Sequence, residues 1–293
     1  MIIKMTGASG YLGNIITAEL KRKGHKISPI QRELLYGPAE ILAGELKNTD
    51  VLINLAGAPV LQRWTTKNKK EIYDSRVLTV ENLVKAFQIL FPEERPAKVI
   101  SASAIGIYEE GKTHTEESFN FDRGFLGEVV KDWEKSWKGL PKEVGLTIFR
   151  IAVVLGKESA TIQKLLPPFK LGIGGKIGNG KQPFPFIHET DVARAFTWAA
   201  ENKKAKGVFN MAAPQEITNA GFTRALAKKL NRPAFIPVPP FALKLVFGKA
   251  SSMLTKSPAV LPHKITEAGF EFKYPTIEET LEEIFGEQTE NSK

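Results

Sequence analysis

The chain contains no cysteine. A disulfide framework, a thiolate-ligated metal and a catalytic thiol are therefore all excluded. No apolar run approaches the roughly 20 residues that a membrane-spanning helix needs. The first strand-like run begins at Ile2, which leaves no room for a signal or transit peptide, so a cytoplasmic protein without a membrane partner is expected. Internal repeats and long linkers are missing too. The formal net charge is +9, from 41 basic and 32 acidic residues. The basic residues read as scattered among acids, apart from short clusters such as Lys67-Asn68-Lys69-Lys70 and Lys203-Lys204-Ala205-Lys206. No basic stripe interleaved with aromatics and no DNA-reading motif occurs, so no nucleic-acid partner is expected. The positive excess suits a solvated surface and a polyanionic ligand.

What is present is concentrated at the start. Ile2, Ile3 and Met5 form a short apolar run that ends in Thr6-Gly7, and glycines follow at 7, 10 and 13. Leu12, Ile15, Ile16 and Leu20 then keep helical spacing, closing on Lys21-Arg22-Lys23 and Gly24. Basic residues in a last turn with glycine just beyond form the usual helix stop. The stretch predicts strand, tight glycine turn, helix. A helix N-terminus offers unpaired N–H groups and partial positive charge to a phosphate. The glycines allow the sharp turn, the close approach of a pyrophosphate and tight packing of helix on strand. A dinucleotide site and a purely structural βα turn are the two readings.

Along the rest of the chain, strands alternate with helices. Strands are expected at His25–Ile30, as a stub at Leu34–Tyr36, and at Val51–Leu55, Lys98–Ala102, Leu146–Ile151 (extended by Val153–Gly156) and Gly207–Met211. Helices are expected from Pro38, from Thr66 to Leu90, from Phe125 to Lys138, from about Asp191 to Asn202 and at Ile277–Phe285. This alternation predicts an α/β fold: a Rossmann-type, doubly wound parallel sheet with right-handed crossovers and a small, mostly helical C-terminal cap. The expected division is a cofactor domain over 1–215, with 160–187 contributing to a substrate cleft, a cap over 216–287 and a disordered tail over 288–293. Arg32 follows the second strand, about where an acid would bind a ribose 2′-OH and an arginine a 2′-phosphate. It therefore points to NADP(H), although Glu33 is adjacent and a solvated loop arginine is the alternative.

These residues resemble a known family. Thr6-Gly7-Ala8-Ser9-Gly10-Tyr11-Leu12-Gly13 is similar to the glycine motif of extended short-chain dehydrogenase/reductases, and Asn54-Leu55-Ala56-Gly57 to their second cofactor motif. The chain more narrowly resembles the NAD-dependent epimerase-like subgroup, described as nucleoside-diphosphate-sugar epimerase-like proteins with a family-specific C-terminal domain. The stretches that carry this include Arg63-Trp64-Thr65, Ser75-Arg76, Ser101 to Tyr108, Trp133-Glu134, Phe186 to Asp191 and Leu261 to Phe272. The resemblance implies a cofactor site at Thr6, Gly7, Ser9, Gly10, Tyr11, Leu12, Gly13, Arg32, Leu55, Ala56, Gly57 and Ser101. It also implies homodimers through the helices at 66–90 and 125–138.

In that family a Ser or Thr, a Tyr and a Lys four residues later carry the chemistry. A tyrosine, with an unperturbed pKa near ~10, becomes a general base only beside such a cation. Ser103 fits the serine position. With Glu134 as the helix glutamate, the Tyr place falls on Leu126 and the Lys place on Val130, and neither moves a proton. Lys131 is turned about 100° away around the helix. Tyr108 and His188 are the remaining acid/base candidates. The alternatives are an aromatic packed in the cleft wall for Tyr108, and for His188 a residue that positions the substrate loop or caps the next helix. Asp191 reads as fixing that helix start. Arg63, Arg76 and Arg150 suit either an anionic substrate group or a local acid. Two functions follow. One is an NADP(H)-dependent oxidoreductase or epimerase-like enzyme acting on a small carbonyl or alcohol substrate, a sugar nucleotide among the candidates. The other is a non-catalytic NADP(H)-binding redox sensor or scaffold.

Overall fold

The computed structural model describes residues 1–286; the expected tail, 288–293, lies outside them. In chain order the strands are β1 (Ile2–Thr6), β2 (Lys26–Pro29), β3 (Val51–Asn54), β4 (Lys98–Ala104), β5 (Thr113–His114), β6 (Gly145–Ile151), β7 (Val153–Leu155), β8 (Phe186–His188), β9 (Gly207–Met211) and β10 (Ala259–Val260). The helices are α1 (Tyr11–Arg22), α2 (Ala39–Leu46), α3 (Thr66–Asp74), α4 (Val77–Ile89), α5 (Phe125–Ser136), α6 (Ala160–Lys170), α7 (Glu189–Glu201), α8 (Asn219–Lys229), α9 (Pro240–Phe247), α10 (Ser252–Thr255), α11 (His263–Glu267) and α12 (Ile277–Phe285).

Six strands make one parallel sheet in the order β2-β1-β3-β4-β6-β9. Because side chains alternate between faces, the sheet feeds two cores, one on each face. Ile3, Met5, Ile53, Ile100 and Phe149 pack under α1 and α7. Leu52, Val99 and Ile148 pack with Val80, Phe87 and Trp133 under α4 and α5. A third cluster joins Leu155 and Phe186 to Phe222, Leu281 and Ile284, and so holds α8 and α12 against the small β7–β8 sheet. This is the α/β, Rossmann-type architecture expected, with a helical C-terminal region.

Three local expectations are corrected. The stub at 34–36 is not a strand but part of a 3₁₀ turn, Arg32–Tyr36. Leu35 is buried in it, and the Asn82 amide on α4 donates to the carbonyls of Leu35 and Gly37, so the segment's polar groups go to a helix and the sheet ends at β2. The helix expected over 66–90 is broken between α3 and α4. Ser75 Oγ donates to the Ile72 carbonyl and accepts from Ala58 N–H at 2.9 Å, so the break tethers the loop after β3. Residues 153–155 leave the main sheet and pair with β8. Beyond these, Pro167 and Pro168 lie inside α6; Ser159 caps this helix, accepting from Ile162 N–H, and Ile162 and Phe169 anchor it in the third core.

Candidate functional site at the carboxyl edge of the sheet

The turn after β1 is built for close backbone approach. Gly7 has a φ of +67°, left-handed space that favours glycine. A Cβ at Gly7 would sit 2.9 Å from the Leu55 carbonyl, and one at Gly13 would sit 2.3 Å from the Gly7 carbonyl oxygen. Both glycines are therefore obligatory for this path. Gly10 is the N-cap of α1 and supplies no side-chain cap, so the helix's first N–H groups face the cleft with no side chain over them. That arrangement fits a pyrophosphate. Ser9, Tyr11 and Leu12 belong to the same turn, and the Tyr11 hydroxyl bonds the Glu189 carboxylate at the start of α7. Burial, then Glu283 nearby, raises the Glu189 pKa.

Two polar rows cross the sheet just below this edge. Register pairs Thr6 with Asn54 and Asn54 with Ser101. Thr6 Oγ1 donates to Asn54 Oδ1 at 2.7 Å and accepts from the N–H groups of Leu55 and Ala56. Asn54 Nδ2 and Trp137 Nε1 both donate to Ser101 Oγ. This row fixes the Leu55-Ala56-Gly57 loop, whose first residues pack directly against Gly7. Ser101 is fully buried, so it acts on that loop from beneath.

The second row lies two residues further along. Register pairs Ser103 with Arg150 and Arg150 with Asn210. Ser103 Oγ donates to Glu134 Oε1 at 2.6 Å, and Arg150 grips both Glu134 oxygens through Nε and Nη2 at 2.9 and 2.7 Å. Arg150 Nη1 reaches the Tyr108 hydroxyl at 2.8 Å, and that hydroxyl donates to Asn210 Oδ1 at 2.8 Å. Burial acts to lower the Arg150 pKa, but its bonds to Glu134 outweigh it and hold it above the ordinary guanidinium value. Burial pushes the Tyr108 hydroxyl up. The pair is almost fully enclosed, and Tyr108 is 2 % exposed.

The expected site residues thus fall into two groups. Ser103 joins α5 through Glu134, on the helical stripe shared with Leu126 and Val130. Tyr108 is sealed beneath Arg150, stacked on His114. His188 stands apart, at the end of β8. Its Nδ1 accepts from Thr190 N–H and so caps α7, while Tyr274 packs edge-on at 4.3 Å. Burial lowers its pKa to about 4, which fits a neutral cap. Asp191 does not cap that helix; it accepts from the N–H groups of Lys273 and Tyr274 and from Arg194, tying α7 to the segment before α12.

The arginines also separate. Arg150 has its local acid. Arg63 donates to the carbonyls of Val246 and Leu245 on α9. Arg76 has no carboxylate partner among the described residues: it donates to the carbonyls of Ile72 and Ala58, faces Trp133, and a Cβ at Gly57 would touch its guanidinium at 2.9 Å. Burial brings its pKa down to about 10, which leaves a cation at neutral pH directly under the Gly57 loop. Arg32 is exposed at the start of the 3₁₀ turn, 3.6 Å from Glu71. Glu134 enters the sequence pattern only as the helix glutamate, and neither Glu189 nor Asn210 stands among the candidate residues. The alternation in β4, β6 and β9 is the signal that puts Ser103, Arg150 and Asn210 on one face.

Comparison with known proteins accords with this geometry. The model of the NAD-dependent epimerase/dehydratase family matches residues 3–124, and that of a domain of unknown function, DUF1731, matches 238–284. The chain is 33 % identical over 295 residues to the epimerase family protein SDR39U1 of Mus musculus, covering 97 % of this chain and 99 % of that one. It is 33 % identical over 305 residues to the epimerase family protein YfhF of Bacillus subtilis, covering 98 % and 99 %. The crystal structure of the human epimerase family protein SDR39U1 (isoform 2) with NADPH superposes with a TM-score of 0.90 at 32 % identity, over 98 % of this chain and 99 % of that one.

Proposed function

Since the chain belongs to the NAD-dependent epimerase/dehydratase family, among SDR39U1-like proteins, we propose that it is an NADP(H)-dependent oxidoreductase or epimerase-like enzyme acting on a carbonyl or alcohol substrate. The observation that carries this is the uncapped N-terminus of α1 behind Gly7 and Gly13, where added Cβ atoms would strike backbone. The turn from Thr6 to Gly13 holds the pyrophosphate, the Leu55–Gly57 loop lies along the dinucleotide with Ser101 bracing it, and Arg76 adds positive charge beneath Gly57. Arg32 takes the 2′-phosphate. When bound, the nicotinamide supplies the hydride exchange that this chemistry requires.

Ser103 orients the reacting oxygen. Its own proton is committed to Glu134, so its free lone pairs accept from a substrate hydroxyl. Glu134 positions Ser103 and does not relay a proton, because protonating it would leave Arg150 buried without its carboxylate, a costly state. A second reading rests on the same observation. Leu126 and Val130 stand at the proton-transfer places, and Tyr108 and His188 are held in structural bonds. This favours a protein that binds NADP(H) and signals its redox state without turnover. An assembly of two copies through α4 and α5 is compatible with either reading.

NADPH consumption across a panel of carbonyl compounds and sugar nucleotides separates the two. Turnover slowed at least about tenfold by Ser103→Ala is expected for the enzyme. Tight NADPH binding with no turnover on any member supports the sensor. In a fluorescence titration, Arg32→Ala should weaken NADPH about tenfold, near 1.4 kcal/mol, and leave NADH unchanged. Equal affinities of the unaltered protein for the two cofactors would contradict the assignment to Arg32.

A further inference from the structure

The acids are distributed unevenly, which the net charge hides. No Asp or Glu occurs between Glu158 and Glu189, or between Glu216 and Glu267. These two segments hold 12 of the 41 basic residues and none of the 32 acids, so the remainder of the chain is slightly acidic. They also lie side by side. Val238 N–H donates to the Lys176 carbonyl at 2.8 Å and Gly178 N–H to the Val238 carbonyl at 3.0 Å, and Gly175 bridges to Phe235. The shared strip runs directly into α9.

This is also where apolar side chains stand in solvent. Phe235 is 90 % exposed, Leu245 70 % and Phe241 68 %, with Ile236 and Val246 beside them. Across the strip, Leu171 and Ile173 are exposed as well. α9 buries none of its residues, although Arg63 pins its last turn through two carbonyls. Lys164, Lys170, Lys176, Lys244 and Lys249 are exposed around these residues, and none has an acid partner among the described residues. A contiguous apolar face of this kind marks an interaction site.

We propose that residues 171–178, residues 233–240 and α9 form a peripheral docking face for an anionic phospholipid surface. The apolar side chains enter the headgroup boundary while the surrounding lysines meet the phosphates, the division of labour of an interfacial helix. No described helix is long and apolar enough to cross a membrane, so the contact is made from one side. A second copy of the chain suits the face poorly, because it would oppose two acid-free cationic surfaces. Nucleic acid suits it poorly too, because most of the exposed apolar groups are aliphatic and offer bases no ring to stack on.

The test is co-sedimentation of the full chain with vesicles of equimolar phosphatidylglycerol and phosphatidylcholine, against phosphatidylcholine alone, in about 0.1 M salt. Binding to the anionic vesicles at least about tenfold stronger, and weakened by added salt, is expected. Phe241→Glu with Leu245→Glu should abolish it while NADPH affinity and the circular dichroism spectrum stay unchanged, and Lys244→Glu with Lys249→Glu should weaken it. Three results overturn the proposal: no binding, equal binding to both vesicle types, or a face occupied otherwise. The last would appear as a dimer that the Phe241/Leu245 variant dissociates, or as RNA binding that it removes.

Discussion

Two polar rows lie two residues apart on one face of the sheet, and their side chains are spent differently. Thr6, Asn54 and Ser101 are neutral and bond one another, and the row also reaches backbone: Thr6 alone serves two N–H groups of the loop after β3. Ser103, Arg150 and Asn210 are joined to Glu134 and Tyr108 in a network around a buried ion pair, and their bonds run mostly to one another. The first row shapes a surface that something else can occupy. The second commits the protons of the Ser103 and Tyr108 hydroxyls to acceptors around a charged pair, which leaves Ser103 only its lone pairs. One sheet face can thus carry a neutral row that braces a loop and, two residues on, a row organised around a charge.

The largest effect should come from breaking the charged row. Arg150→Met leaves the largely enclosed Glu134 without its partner and should cost up to about 3–5 kcal/mol in urea unfolding, whereas the pair Arg150→Met with Glu134→Leu should recover most of it. If the single change costs under about 1 kcal/mol, the pair is not the clamp described. His188 sharpens the contrast, as a polar group kept neutral. Its folded pKa near 4 lies below the unfolded value of 6.5, so the unfolded chain binds the extra proton between these limits. Its contribution is complete above about pH 6.5 and is lost as pH falls toward 4, on the order of 3 kcal/mol at most. His188→Asn keeps a capping acceptor and should flatten stability across that window; an unchanged pH profile would show that His188 is not the titrating group. The smallest change is expected in the neutral row. Thr6→Val should cost about 1–2 kcal/mol for the orphaned amides and weaken NADPH several-fold by loosening the Leu55–Gly57 loop. Unaltered cofactor affinity would show that the row serves stability alone.

Local signals were legible where each residue's environment is local. The glycine spacing at 7, 10 and 13, the apolar strands and the bounds of α12 could all be read directly, because turn geometry and periodicity are written in neighbouring residues. The 3₁₀ turn at 32–36 could not, since Leu34, Leu35 and Tyr36 have strand-like composition, while the Leu34 carbonyl accepts from Gly37 N–H and the Leu35 carbonyl from the distant Asn82 amide on α4. The same holds for Ser75, whose hydroxyl ends α3 because Ala58 reaches it across 17 positions. At the site, Ser103 was visible as a position, but its occupation by Glu134, and that of Tyr108 by Arg150, depend on pairings 31 and 42 residues apart. Sequence pattern names the polar groups at this edge; only the register says which of them are already taken.

The two ends of the sheet have a bearing on how the chain survives its own synthesis. An unpaired strand edge invites other chains to add to it, and a parallel sheet with long crossovers leaves such edges open while it assembles. Here β2 ends in Pro29, which has no N–H to offer, and β9 presents Asn210, whose N–H is already taken by the buried Glu116 carboxylate at 2.8 Å. One edge lacks a donor at Pro29 and the other has one filled at Asn210. Each edge is thereby a poorer template for an added strand, and Glu116→Ala would free the Asn210 donor during refolding at high protein concentration.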